Sequence, residues 1–221
     1  MARSPETNRP ESSRPESSRP VQIVLPLTGV AREQSIVVGS ANEAVLRACQ
    51  DTASWPFHTA ILSGPPRSGK SLIARWFETS GLGTAIDDAE TVPEDELFHA
   101  WNRAQAASRP LLLIGRPVPS EWKITLPDLG SRLGAALNLS IEAPDDEMLA
   151  GLIEAHAAQR GLALGEEATT YLVPRVERSF AAVETLVAGI DRLSLERKVP
   201  ARLAIWREAL SGHEPEQGDL L

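Results

Sequence analysis

Gly64-Pro65-Pro66-Arg67-Ser68-Gly69-Lys70-Ser71 satisfies the pattern G-x-x-x-x-G-K-S, whose residue types suit one task, the gripping of a polyphosphate. Glycine lets the backbone curl until its N–H groups face inward. The lysine ammonium pairs with the β and γ phosphates, and the serine hydroxyl is a hard oxygen ligand for magnesium. An apolar run, TAILSG, leads into the match, and a helical pattern through Leu72 follows it. The loop therefore joins a strand to a helix N-terminus, where free amides and the helix dipole favour anions. The expected nucleotide contacts are Gly64, Pro65, Pro66, Arg67, Ser68, Gly69, Lys70, Ser71 and Leu72. The blander reading, a glycine turn with a surface lysine, leaves that strand-turn-helix context without a use.

A phosphate loop that works with magnesium needs a carboxylate at the tip of a neighbouring strand. Asp87 and Asp88 follow the apolar pair Ala85-Ile86, at the carboxyl end where α/β sheets place their ligands. Asp87 is expected on the metal or its water, and Asp88 is expected to orient an attacking water. Taken alone, two aspartates there would read as a helix cap or a solvated turn; beside the phosphate loop the metal role is preferred.

These groups meet only if several strands deliver them to one edge. Thr59 to Gly64, GTAI before the aspartates, Pro110 to Gly115 and LNLSIEA read as four strands, each apolar on both faces. Helical patterns alternate with them at Ser71 to Glu78, in LFHAWNRAQAA behind a cap at Thr91 and Glu94, and at Leu129 to Ala136. Alternation of this kind predicts an α/β fold with a parallel sheet covered on both faces. Ahead of it, IVVG is a short β-rich run, and Ser40-Ala41-Asn42-Glu43 reads as a capping box opening a helix to Cys49. From Pro144 the strand signals stop. PDDE starts a helix, and others are expected over Glu166 to Val173, Phe180 to Leu195 and Pro200 to Leu210, a small all-helical second domain.

The chain of 221 residues is 42% hydrophobic, enough to bury a substantial core. Its formal charge of −8 argues against a stand-alone nucleic-acid binder, because phosphate affinity comes from clustered lysine and arginine. One cysteine, Cys49, excludes an internal disulfide and a cysteine-rich zinc site; its helical setting makes it a packed thiol. His58, His99, His156 and His213 lack ligand spacing. Trp55, Trp76, Trp101, Trp122 and Trp206 are read as core or interface residues rather than base-stacking platforms. With no signal-peptide core and no apolar run of membrane length, the expected location is the cytoplasm and no membrane contact is expected.

Residues 1–20 repeat Arg-Pro-Glu-Ser-Ser, a composition that buries no apolar surface and reads as a disordered tether. It ends abruptly in VQIVLPL, where Pro26 forbids helix. The segment reads as a short linear motif, or else as an edge strand packed on the domain's own surface. The expected division is a tether at 1–20, a peptide at 21–28, an α/β domain at 35–143, a helical domain at 144–211 and an acidic tail at 212–221.

IVVGSANEAV, GPPRSGKS, AIDDAE and LPDLGSRLGAALNLSIEAPDDE together resemble the AAA+ domain of the DnaA-related family, in particular its short Hda-like members, regulatory inactivators of DnaA. The resemblance covers roughly residues 21–210. It implies an adenine-side segment at Val37, Val38 and Gly39, and ADP or ATP with Mg as cofactors. It also implies an arginine finger at Arg132 acting in trans on a neighbouring subunit's nucleotide. In such proteins a leader of the pattern Q-x-x-L-P-L docks on the DNA polymerase sliding clamp. Here Gln22, Ile23, Leu25, Pro26 and Leu27 would be its contacts, the glutamine fixing register and the leucines filling an apolar pocket. The partners so implied are the clamp and DnaA; direct sequence-specific DNA binding is not expected, and self-association stays open.

Several positions depart from the family pattern. Only sixteen residues, 71 to 86, lie between Lys70 and Asp87, which leaves no room for a strand-helix unit found in relatives. Four parallel strands are therefore expected where relatives have five, and a single-stranded-DNA surface built on that unit would be lost with it. Gly115 stands where relatives carry a polar residue, and Ala181 falls where the lid arginine is expected, with Arg178 nearest. Both losses weaken transition-state stabilisation more than ground-state binding, so weak or no intrinsic ATPase is expected. The function implied is regulation of replication initiation through DnaA-bound ATP; a helicase-loader-type ATPase and a degenerate scaffold are the alternatives.

Overall fold

The structure, a computed structural model, describes residues 21–24 and 35–212. Its centre is a four-stranded parallel sheet in the order β4-β5-β3-β6, formed by β3 (Thr59–Ser63), β4 (Thr84–Ile86), β5 (Leu111–Ile114) and β6 (Leu137–Ser140). Burial explains the order. Every residue of β3 and β5 is buried, as central strands covered on both faces must be, but β4 is half-exposed throughout and β6 alternates, so the expected burial of each strand on both faces holds only for the two central ones. The expected four strands are all there, with β4 at the edge that a further strand would cover. That edge is partly blunted, because the outward amide of Ala85 donates to Glu78 Oε1 at 3.0 Å.

Helices α2 (Lys70–Thr79), α3 (Glu94–Ala106) and α4 (Pro127–Gly134) connect the strands, and α1 (Glu43–Gln50) precedes them. One core joins α1 and α2 to the sheet, with Trp55 stacked on Phe77 at 5.5 Å between ring centroids. Cys49 is fully enclosed there, and burial pushes its thiol up to about 12, which makes it inert. The opposite face packs Leu97, Leu113, Trp122, Leu129 and Leu133. Trp55, Trp76, Trp122 and Trp206 are all buried, so they pack rather than stack on bases.

Four helices follow: α5 (Asp146–Arg160), α6 (Glu166–Leu172), α7 (Phe180–Arg197) and α8 (Leu203–Ser211). They enclose their own core around Ile153, Leu172, Leu186 and Trp206. Asp145 caps α5 by accepting from Met148 N at 2.8 Å, and Ser179 caps α7 by accepting from Ala182 N at 3.1 Å. Among the described residues no helix is long and apolar enough to cross a membrane.

The two capping boxes are not formed. Asn42, only 2% exposed, must satisfy its amide internally; it accepts from Gly39 N and donates to Val37 O. Ser40 donates to Asp145 instead, linking the α/β body to α5. Glu94 accepts from the amides of Thr125 and Leu126 and from the Thr125 hydroxyl, which holds its carboxyl below the usual range. Thr91 donates to Asp88 O. Ser40 and Glu94 were thus drawn to partners distant in sequence, whereas Asn42 and Thr91 are held by local ones.

The leader also differs from a free motif. Val21–Val24 forms β1, antiparallel to β2 (Ser35–Val38), with Gln22 opposite Val37 and Ile23 opposite Ile36. The edge-strand alternative therefore holds for these four residues. Leu25, Pro26 and Leu27, the tether at 1–20 and the tail beyond Gly212 lie outside the described residues, as does His213.

Candidate functional site

Because the sheet is parallel, the carboxyl tips of β3, β5 and β4 lie side by side. β3 runs into the glycine loop, β5 into Gly115-Arg116 and β4 into Asp87-Asp88. At Gly64 the chain passes so close to β6 that a Cβ would sit 2.9 Å from Ile141 Cβ, and its φ of +154° disfavours any other residue. The loop ends at α2, whose first residues, Lys70 and Ser71, have no preceding carbonyl within the helix to accept from their amides.

Lys70 Nζ donates to Gly64 O at 2.7 Å and Pro65 O at 2.9 Å, which folds the ammonium back over its own loop. Burial lowers its pKa, and the nearby Asp87 carboxylate opposes that shift. The Ser68 hydroxyl is buried within the loop without a hydrogen-bond partner. An orphaned donor in a loop of this shape is what an anionic ligand would satisfy.

These groups face a cavity of about 690 Å³, the size of a nucleotide-class site. Of the expected residues, Pro66, Arg67, Ser68, Gly69, Lys70, Ser71, Leu72, Asp87 and Asp88 line it together. Gly64 and Pro65 contribute the carbonyls that hold Lys70. Val37 lines a smaller adjoining cavity of about 70 Å³ shared with Leu72, Met148 and Phe180. Val38 packs against the core beside it, and Gly39 abuts Met148 on α5. The segment expected on the adenine side is thus next to the loop, closed over by α5. A hydroxyl at Ser71 and a carboxylate at Asp87 on one cavity wall are the hard oxygen donors magnesium takes.

Sequence reasoning missed the residues that the helical domain sends into this cavity. His156, Gln159 and Arg160 line it from one face of α5, and Glu184 lines it from α7, where it pairs with Arg67 at 3.4 Å. Their i, i+3, i+4 spacing was the available signal, but nothing in it said which way α5 faces. Burial lowers the His156 pKa and favours a neutral imidazole. Arg178 is paired with Asp146 at 2.8 Å and does not line the cavity. Arg75 and Arg116 complete the cationic wall.

Arg132 sits on α4 outside this cavity, and it is fastened down. It bridges to Asp128 at 2.7 Å, donates to Asn102 Oδ1 at 2.8 Å and lies over the Trp101 and Phe98 rings, with 24% of its side chain exposed. The implied projecting finger is, in the isolated chain, a side chain folded onto α3.

Gly115 has a packing reason. A Cβ there would meet the Trp122 ring at 2.6 Å, and that indole is locked by donating to Pro117 O. Gly115→Thr is expected to destabilise the fold by about 1–3 kcal/mol through overpacking. A urea melt reads the outcome; unchanged stability would mean that Trp122 moves freely.

Residues 145–202 match the family described as Hda, lid domain. A protein of Haemophilus influenzae, described only as uncharacterized, is 31% identical over 117 residues. The match takes in 50% of this chain and 51% of that one, so it spans about half the length of the curated relative. Domain III of the Thermotoga maritima replication initiation protein DnaA superposes with a TM-score of 0.65 at 14% identity, covering 80% of this chain and 95% of that one. AMPPCP-bound DnaA from Aquifex aeolicus gives 0.57 at 16% identity, covering 73% of this chain and 66% of that one. At such identities the structural likenesses speak for the fold.

Proposed function

We propose, from the premise that the chain is a DnaA-related, Hda-like AAA+ protein, that it is a nucleotide-binding regulator of replication initiation. The observation that carries the reading is the cavity in which Lys70, Ser71, Asp87 and the unpartnered Ser68 hydroxyl converge under α5. ADP or ATP would be held by the loop amides and Lys70, with Ser71 and Asp87 as the magnesium ligands. Bound magnesium would neutralise phosphate charge; every other contact is made by the chain itself. With Gly115 and Ala181 offering no polar group to the terminal phosphate, turnover by the isolated protein is slow.

In this reading the protein acts on DnaA. Gln22 to Leu27 docks on the sliding clamp, and Arg132 reaches the nucleotide of a neighbouring DnaA, promoting its hydrolysis. Docking trades one ladder for another, since Val21–Val24 must leave β2 before Gln22 can set the register on a clamp. Replacing Gln22 and Leu25 together by alanine is expected to abolish capture on immobilised clamp, and unchanged capture would remove the docking role. The function itself is tested by ATP turnover. The regulator shows little alone and accelerates DnaA hydrolysis when clamp is loaded on DNA; robust hydrolysis by the protein alone would instead favour a helicase-loader-type ATPase.

A further inference from the structure

The two cavities meet under α5. The large one, facing the glycine loop, and the small apolar one beside it share Arg67, Ser68, Gly69, Leu72, His156 and Gln159 as lining. In a nucleotide the sugar joins base to phosphates, so a ligand with its phosphates on the loop and its base in the small cavity must set its sugar along that seam. Most of the seam has little to offer a sugar. Gly69 and Leu72 carry no polar side chain, Ser68 belongs to the loop itself, and Arg67 is paired with Glu184 at 3.4 Å. His156 and Gln159 remain, half-buried and three residues apart on one face of α5. Burial outweighs the nearby Glu184 carboxylate and keeps the imidazole neutral, so that one ring nitrogen donates and the other accepts. The Gln159 amide adjoins the ring and likewise does both. Neighbouring hydroxyls, each a donor and an acceptor, are the chemical match for such a pair, as cations are the match for phosphate.

We infer that His156 and Gln159 hold the adjacent 2′- and 3′-hydroxyls of the nucleotide's ribose, which makes the site selective for ribonucleotides over 2′-deoxyribonucleotides. This rests on the reading of the cavity as a nucleotide site, and it names the part of the ligand that the helical domain reads. With a deoxy sugar, a half-buried donor or acceptor faces a C–H group and loses its bond. Because both residues sit on α5, the same contact ties the helical domain to the α/β body through the ligand.

The test is calorimetric titration of the full chain with ADP and with 2′-deoxy-ADP, both with magnesium. The wild type is expected to bind ADP about tenfold more tightly, the effect of one hydrogen bond lost and its partner left unpaired. In His156→Ala and in Gln159→Ala, ADP affinity falls toward that of the deoxy ligand, whose own affinity stays within about twofold, so the preference closes. A merely structural role for α5 would instead weaken both ligands together and leave the preference as it was. Thermal melts verify folding, and Gln159→Ala carries the test alone should His156→Ala unfold. Equal binding of the two ligands by the wild type, or a preference unchanged in the folded variants, overturns the sugar assignment while the nucleotide reading stands. If the wild type binds neither ligand, both fall together.

Discussion

Lys70→Ala lowers nucleotide affinity by about a hundredfold, the loss expected when one member of a partly desolvated charge pair is truncated. The lysine is already in place: its ammonium is held over the loop by the Gly64 and Pro65 carbonyls, and little reorganisation is needed to meet phosphate oxygens. The cost of partial burial, seen in its lowered pKa, is offset in part by Asp87, and a bound anion would offset more of it. Thermal stabilisation by ligand gives an independent reading. At a nucleotide concentration of about 100 Kd for the wild type, binding adds about 2.7 kcal/mol, and a hundredfold weaker mutant gains only about 0.4 kcal/mol. The predicted result is therefore a wild-type melting temperature that climbs with added nucleotide and a mutant one that barely moves. Equal shifts in the two proteins would show the loop to be vestigial.

What could be read from sequence was what is local. The phosphate loop is contiguous, and its strand and helix are encoded on either side of it. Asp87 and Asp88 were placed by the end of an apolar run, and the short interval after Lys70 foretold a four-stranded sheet; that β4 is its edge emerged only in the fold. Contacts set by distant partners were not legible. Ser40 and Glu94 fit capping boxes in sequence, yet each found a distant partner in the folded chain, Asp145 for one, Thr125 and Leu126 for the other. The cationic and acidic groups on α5 and α7 became site residues only because their helices close over the loop. Gly115 read as the loss of a polar residue, and the structure supplies its cause in the ring of Trp122. The leader's alternating Gln22 and Ile23 gave no sign of β2, because a strand of four residues carries too little pattern to name its partner.

Arg132→Ala is expected to cut the stimulation of DnaA hydrolysis by about a thousandfold or more, the range for removal of an arginine finger, while nucleotide affinity and clamp capture are unchanged. The residue's present contacts make the prediction sharper. Its pair with Asp128 is worth a few tenths of a kcal/mol, as an i, i+4 pair at a helix surface. Its seat over Trp101 and Phe98 adds about 1–2 kcal/mol. Releasing the guanidinium thus costs roughly as much as a tenfold change in an equilibrium constant or somewhat more, which a partner's triphosphate can offset through bidentate hydrogen bonds. Asp128→Ala lowers that cost. If Arg132 is the finger, this variant stimulates DnaA as well as the wild type or up to a few-fold better; if Arg132 only fastens α4 to α3, loosening it brings no gain and Arg132→Ala retains stimulation. The pair of variants separates a role in the reaction from a role in packing, because a packing residue loses stability in both, whereas a finger loses activity in one and keeps or gains it in the other.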